Sequence, residues 1–453
     1  MPTLLWEPRF RKLRAYSSIP EVRRRRAPCG RFYLPKAMTS LVRARYLELL
    51  SWMTGRTRLG MRPGLETTRE LLQGLGNPQR GLRAVQVAGT NGKGSTSRFL
   101  QGLLMSQGWK VGLFTSPHLV SVRERFLIGD RAIPEETCAE LLERIRPVAE
   151  ATGATFFEIC TALAVLWFVQ ERVDFAVLET GLGGRLDSVT ALPAEGLLLT
   201  GASLDHTALL GDTVEAIWKE KMAAARPDRP IFAIRQSEGL DGILSEHARS
   251  LGCELVWCDR APVRSGLEGE HQTRNLALAW QAATRLLGRA PDLTAAQARL
   301  DGLVWPGRWQ WLEGTPRILL DVGHNPQAME MLARKLAGSG AVLLFGCMAD
   351  KDWRQALVML TPVASAIHLM PLATSRAATP AQLAQVFPQT KPYGEAKGAL
   401  LHALAEASEK GTFLVIAGSF HTVGTAMREL HGMGRGGFWP EGVVPDPEVP
   451  GVG

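Results

Sequence analysis

The chain has 453 residues, 45% apolar and 21% charged, with 46 glycines and 27 prolines; this is ordinary globular composition, enough for two or three domains, and it excludes a disordered, collagen-like or disulfide-scaffold protein. The net charge of +8 sits in residues 1–37, where ten bases (Arg9, Arg11, Lys12, Arg14, Arg23 to Arg26, Arg31 and Lys36) face only Glu7 and Glu21, so the rest of the chain is neutral. A neutral body lacks the general attraction to polyphosphate that nucleic-acid binders use, so, a local basic cleft aside, no nucleic acid is expected as a partner.

In chain order, the basic arm of residues 1–37 reads as a disordered tail or as an upstream start on a chain that begins at Met38, with a targeting segment as a third reading. From Thr39 to Gly55, a polar cap followed by apolar residues at helical spacing predicts an amphipathic helix. Apolar runs at 84–89, 111–116, 175–180, 197–203 and 231–234 then alternate with helical patterns at Ser95–Gln107, Glu135–Ala151, Phe157–Gln170 and Thr213–Ala225. Such alternation predicts crossover connections and a mostly parallel sheet covered on both faces. The periodicity lapses in DRAPVRSGLEG (259–269), which predicts a domain boundary at 262/263. A second series follows, with a helix at His271–Leu287, strands at 317–323, 341–347, 366–372 and 413–419, and helices at 326–337, 353–360, 380–386 and 396–409. The predicted fold is therefore α/β: a large mostly parallel-sheet domain of P-loop ATPase type over 38–262, and a smaller Rossmann-like domain over 263–431. Residues 432–453 hold seven glycines and four prolines and are expected to be disordered. The densest apolar run, Ile159–Val169, falls well short of the roughly 20 residues needed to cross a bilayer. Six scattered cysteines with no CxxC pair read as reduced thiols of a cytoplasmic protein, with no zinc site.

The sharpest local feature is Gly89-Thr90-Asn91-Gly92-Lys93-Gly94-Ser95, set between a strand and a helix. Glycines let backbone N–H groups curl toward a phosphate, Lys93 adds a point charge and the helix N-terminus adds its dipole, so the segment reads as a triphosphate cradle, although its spacing is not G-x-x-x-x-G-K-[ST]. A plain glycine-rich turn is the alternative. Ligands of open parallel sheets bind beyond the carboxyl ends of the strands, and those ends here carry Thr115-Ser116-Pro117-His118, Glu179 and Ser203-Leu204-Asp205-His206. Ser116, Glu179 and His206 are candidate ligands of Mg²⁺ or Mn²⁺, with phosphate oxygens and water completing the shell; His206 could equally support the site from behind, Ser116 could be a turn residue and His118 a satisfied surface histidine. A carboxylate at the end of a buried strand requires a partner, which favours function for Glu179. The loop Gly181–Asp187 suits close backbone approach to a ligand, with Arg185 either clamping an anion or pairing with Asp187.

Together, GTNGKGS, TSPHL, E-x-GLGGRLD, LDH, LGDT and E-K, in this order, resemble folylpolyglutamate synthase and dihydrofolate synthase of the Mur ligase superfamily, over about Thr39 to Leu430. The resemblance implies an ATP-dependent acid–amino-acid ligase of folate biosynthesis and one-carbon metabolism. ATP phosphorylates a pterin-linked carboxylate, and the amine of L-glutamate attacks the acyl phosphate. It implies ATP with Mg²⁺ (or Mn²⁺), the cradle residues 89–95 with Lys93 on the phosphates, and Ser116, Glu179 and His206 on the metal. Lys221, as a carbamate, would assist a second metal, while Lys219 is the bland neighbour. From the smaller domain, Asn275, Arg308 and Asp321 would contact the nucleotide, and His324 and Ser419 the incoming glutamate; Asn275 could instead satisfy local backbone, and Arg308 could pack on Trp305 and Trp309. Arg62, Thr155, Phe156, Phe157, Arg185, Leu186 and Asp187 fall on the pterin-side segments, although an aromatic pair is more often core. The chain departs from the family at Asp321-Val322-Gly323 (DGA), at Asp187-Ser188-Val189-Thr190 and at Met222-Ala223-Ala224 (AGI).

The leading expectation is a glutamate ligase acting on dihydropteroate, on a folate, or on both, working as a monomer on small molecules. A cell-wall Mur-type amino-acid ligase is the alternative within the same chemistry, and a nucleotide-binding kinase or ATPase switch, or a non-catalytic relative, the alternative outside it.

Overall fold

Short β-branched and leucine-rich runs, each closed by glycine or a polar turn, form two sheets in a computed structural model that describes residues 36–60, 64–435, 440 and 443–447. The arm up to residue 35 and Arg62 lie outside the described residues. The first sheet comprises β1 (Ala84–Ala88), β2 (Val111–Phe114), β3 (Phe126–Ile128), β4 (Arg131–Ala132), β5 (Phe175–Glu179), β6 (Leu197–Leu199), β7 (Ile231–Ala233) and β8 (Leu255–Trp257). Its order is β4-β3-β2-β5-β1-β6-β7-β8, parallel from β2 to β8 with β3 and β4 antiparallel at one edge. The second holds β9 (Gln310–Leu312), β10 (Ile318–Asp321), β11 (Val342–Phe345), β12 (Ala366–Leu369), β13 (Lys391–Pro392) and β14 (Leu414–Ala417). Its order is β13-β12-β11-β14-β10-β9, with only β9 antiparallel.

Every residue of β1 and β5 is buried, because helices cover both faces of the sheet. On one face Ala176 and Leu178 join the helix Phe156–Gln170, whose apolar residues run round its whole circumference; on the other Val85 and Val87 join Phe99, Leu100 and Leu276. Continuous apolar runs rather than alternation follow from burial on two sides.

Three expectations change. The boundary expected at 262/263 falls too early: Val263 and Leu267, the helix Glu270–Leu287 and the helix Leu293–Asp301 bury their apolar residues with Phe99 and Leu103 on the first sheet, and the second sheet begins only at Gln310. The sequence pattern changes at the lapse, but packing assigns these helices to the domain before it. The tail is not structureless throughout, since Val443 and Asp446 are buried and Asp446 accepts hydrogen bonds from Tyr46 and Val122. Glycine and proline content lowers the tendency to form regular elements, yet it leaves a single carboxylate free to plug a polar gap. The pattern also passed over β3, β4, β8, β9 and β13, strands of two or three residues at or next to the sheet edges that offer no period to detect, and the helices Glu66–Gly74, Glu238–Ser250, Leu293–Asp301 and Phe420–Gly432.

Candidate active site

The turn after β1 enters the helix Lys93–Ser106 through Gly92, at φ 84°. A Cβ at Gly92 would lie 2.5 Å from the Asn275 Oδ1, and one at Gly89 would lie 1.8 Å from the Thr200 Oγ1. Both positions therefore demand glycine, for conformation and for space. Thr200 Oγ1 donates to the Asn91 carbonyl (2.6 Å), and Lys93 Nζ folds back onto the carbonyls of Gly89 (3.1 Å) and Thr90 (3.2 Å). Gln272 donates to Ser95 Oγ (3.2 Å) and accepts from Asn275 Nδ2 (3.1 Å), so the helix Glu270–Leu287 braces the cradle from the side.

The cradle forms one wall of a cleft of about 310 Å³ that is also lined by Ser116, Glu179, His206, Lys221, Asn275, Arg308, Asp321 and His324. The strand-end rule thus brings together tips that lie far apart in sequence. Glu179, at the end of β5, is 3% exposed and accepts from the Ser116 N–H (3.1 Å). Burial pushes its carboxyl up from the ordinary range, while Lys93, that N–H and Arg308 pull it back. His206 stands in left-handed backbone (φ 51°), and burial lowers its imidazole to about 4, so it is neutral and able to ligate at pH 7. Among the described residues no three His, Cys, Asp or Glu side chains cluster closely enough to hold a metal by themselves. An oxygen from Ser116, a carboxylate from Glu179 and a neutral imidazole still fit a hard divalent cation that takes its remaining donors from phosphate and water.

Lys221 lies on the helix Val214–Met222 and is 3% exposed rather than partly solvated. Burial, then the nearby Lys93, lowers its amine to about 7, against the pull of Asp205, Asp187 and Glu220. Lys219 points outward and pairs with Glu215 at 2.9 Å, as a bland lysine should.

The second sheet closes the cleft. Asp321, the last residue of β10, accepts from Gly323 N (2.8 Å) and Trp309 N (3.1 Å); burial raises its carboxyl and the neighbouring Arg308 lowers it. Arg308 lines the cleft and packs over Phe420 at 4.9 Å; the alternative, packing on its flanking tryptophans, is not what forms, because Trp309 lies under Lys335 and Trp305 under Arg98. Asn325 donates to Asn91 Oδ1 (2.8 Å) and Asn91 donates to Gln327 (2.7 Å), tying the cradle directly to the helix Pro326–Leu336. His324 Nδ1 meets the Val322 carbonyl at 3.0 Å, and its Nε2 lies 3.7 Å from Asp205. Asp205 also accepts from Lys351, and the hydrogen bond from His324 with the neighbouring His206 and Lys351 holds its carboxyl well below the usual carboxylate range despite burial. Lys351 escaped the sequence reading. It follows β11, and the strand-end rule applied to the second sheet as to the first would have found it.

The remaining expected residues do not line the cleft. Thr155 caps the helix Phe156–Gln170, with Glu158 accepting from its N–H (2.7 Å) and hydroxyl (2.9 Å). Phe156 is buried beneath Arg125, and Phe157 fills the space where a Cβ on Gly181 would stand. Asp187 organises its own loop, accepting from Leu182 N and Val189 N at 2.9 Å, and burial raises its carboxyl to about 6. Arg185 pairs with Glu220 (3.0 Å) instead of Asp187, and Leu186 is half-buried beside it. Ser419 caps the helix Phe420–Gly432 by accepting from Thr422 N (3.0 Å). His118 accepts from Arg125 (2.9 Å).

Residues 307–420 match the glutamate ligase domain of Mur ligases. A dihydrofolate synthase/folylpolyglutamate synthase of Bacillus subtilis is 33% identical over 362 residues, which is 71% of this chain and 84% of that protein. A probable bifunctional folylpolyglutamate synthase/dihydropteroate synthase of Haloferax volcanii is 33% identical over 442 residues, 88% of this chain; the chain spans only 51% of that longer protein. A bifunctional folylpolyglutamate synthase/dihydrofolate synthase solved with Mn, AMPPNP and L-glutamate bound superposes with a TM-score of 0.76 at 28% identity, covering 84% of this chain and 98% of that one.

Proposed function

Because the chain belongs to the folylpolyglutamate synthase/dihydrofolate synthase family of ATP-dependent ligases, we propose that it joins L-glutamate to the carboxylate of dihydropteroate, of a (tetrahydro)folate, or of both. The observation that carries this reading is the convergence of the glycine cradle, Glu179 and the buried Lys221 with Arg308, Asp321 and His324 of the glutamate-ligase domain in a single cleft.

A carboxylate oxygen is a poor leaving group, so the amine of glutamate can displace it only after phosphorylation by ATP, with ADP and then phosphate released. The backbone N–H groups at the start of the helix Lys93–Ser106, with Lys93 and Arg308, hold the phosphates and oppose the charge that builds during transfer. Asn275 and Asp321 orient the rest of the nucleotide. A Mg²⁺ or Mn²⁺ ion held by Ser116, Glu179 and His206 would supply charge compensation at the transferred group. Lys221, with its amine brought to about 7, is partly neutral at physiological pH, and a neutral amine is what carbamylation by carbon dioxide requires. His324, which lines the cleft beside Asp205, is placed to meet the incoming amino acid, and Lys351 pairs with the same Asp205. Thr155, Asp187 and Ser419 act here as caps and loop organisers. The protein works on small molecules, as a monomer in the cytoplasm and without nucleic acid; among the described residues no helix is long and apolar enough to cross a membrane.

Purified protein should release ADP only when L-glutamate is present together with dihydropteroate or a tetrahydrofolate. Release with a UDP-sugar peptide acceptor instead would select a cell-wall ligase, and glutamate-independent turnover would select a kinase or ATPase.

A further inference from the structure

The loop after β2 delivers Ser116 to the cleft, and it is braced internally. Thr115 N donates to the Arg125 carbonyl (3.0 Å), and the half-buried Glu124 carboxylate accepts from Leu119 N (2.9 Å), Val120 N (2.8 Å) and Ser121 N (2.8 Å). A loop tied this way moves as one piece, so whatever grips residues 119–122 also sets where Ser116 stands. Two elements grip it. From the second domain, the helix Phe420–Gly432 approaches so closely that a Cβ on Gly424 would lie 2.2 Å from the Leu119 carbonyl oxygen. From the tail, Asp446 N donates to the Val120 carbonyl (2.9 Å) and Asp446 Oδ2 accepts from Val122 N (2.9 Å). The same carboxylate accepts from Tyr46 of the helix Lys36–Gly55 (3.0 Å), and Arg43 of that helix donates to the Pro445 carbonyl (3.1 Å). Asp446 is 6% exposed and Tyr46 fully buried.

We propose that Asp446 is a positioning residue: the segment 443–447, which follows the second domain in the chain, straps the loop 119–122 of the first domain and thereby fixes Ser116 beside Glu179. The consequence for nucleotide binding rests on the ligase reading; the strapping itself does not. A carboxylate serves better than an amide here because it accepts at both oxygens, from Val122 on one side and Tyr46 on the other.

The test compares Asp446→Ala, Asp446→Asn and Tyr46→Phe in the full chain by amide hydrogen exchange, without any substrate. Loss of a charged acceptor should speed exchange at Leu119 to Val122 by about tenfold or more in Asp446→Ala. Asp446→Asn, which keeps one acceptor, should recover part of the protection, and Tyr46→Phe, which leaves the loop pairing intact, should retain it. Exchange at 119–122 unchanged in both Asp446 variants, or raised equally by Tyr46→Phe, overturns the proposal and makes Asp446 a mere plug. If the alanine variant does not fold, the Asn and Phe pair decides in the same way. In steady-state kinetics the KM for the metal–nucleotide should rise in Asp446→Ala while the KM for glutamate holds. A fall in thermal midpoint with both KM values unchanged contradicts the positioning of Ser116. Absence of ligase activity in the parent protein, by contrast, would sink the ligase reading and leave the exchange result to judge the strap.

Discussion

Glu179→Gln separates chemistry from stability at the centre of the cleft. The amide keeps the shape of the side chain and can still accept from the Ser116 N–H, so the β5 end keeps its 3.1 Å contact and loses only the negative charge. That charge is not balanced within the fold: burial outweighs the pull of Lys93 and Arg308, and the carboxyl stays raised above its ordinary range. Removing it therefore relieves more desolvation cost than the attraction it forfeits, so the fold should hold or gain about 1 kcal/mol. For a chain of 453 residues that shifts the thermal midpoint by only about 1 °C. Turnover is a different matter, because charge then builds on a transferred phosphoryl group and the metal loses its carboxylate. Loss of one fixed, charge-stabilising group costs roughly 10²–10³ in kcat, or about 3–4 kcal/mol of transition-state stabilisation. The assay is ADP release at saturating ATP, Mg²⁺, glutamate and dihydropteroate, beside a melting curve of the same preparation. Parent-like turnover from a folded Glu179→Gln protein would refute the assignment.

Three further outcomes follow from the same geometry. Burial holds the Lys221 amine at about 7 in the folded chain, against ~10.4 when free. The folded state thus binds fewer protons between those values, and stability climbs as pH rises through that window, the burial cost being full below it. Lys221→Met should accordingly raise the melting midpoint at pH 6, with the gain shrinking toward pH 10, while ligation is lost; equal midpoints at both pH values would contradict it. Gly92→Ala should lower nucleotide affinity and cost about 1 kcal/mol or more of stability, since its Cβ meets Asn275 in left-handed backbone; calorimetric titration with ADP checks this, and parent-like affinity argues against the cradle. Lys351→Met removes a buried partner of Asp205 and should cost about 2 kcal/mol by urea unfolding, less than the ~3–5 of a fully dry pair. The stability that the depressed Asp205 carboxyl contributes is present above its ordinary range and fades as pH falls, so the Lys351 effect should shrink in acid.

The first domain's strands and the cradle were legible because two-sided burial writes long apolar runs and because phosphate binding writes glycine where a Cβ has no room, as at Gly89 and Gly92. The strand-end rule then brought Ser116, Glu179 and His206 to one cleft without any knowledge of their neighbours. Other features depend on contacts that leave no local pattern. The helix Glu270–Leu287 reads as the start of a second series, but its apolar face fits the helix Lys93–Ser106. Asp187 and Ser419 sit in family-like motifs, yet their side chains are consumed by backbone N–H groups two or three residues on. Asp446 had no sequence signal at all, since a single acid among glycines and prolines acquires meaning only when Tyr46 and Val122 face it.

If separated strand tips hold one metal ion against the triphosphate, crystals grown with Mn²⁺ and a non-hydrolysable ATP analogue should give an anomalous manganese peak bounded by Ser116, Glu179 and His206 and touching phosphate oxygens above Lys93. Nucleotide in the cleft with no peak there, or a peak away from Glu179, would contradict that arrangement.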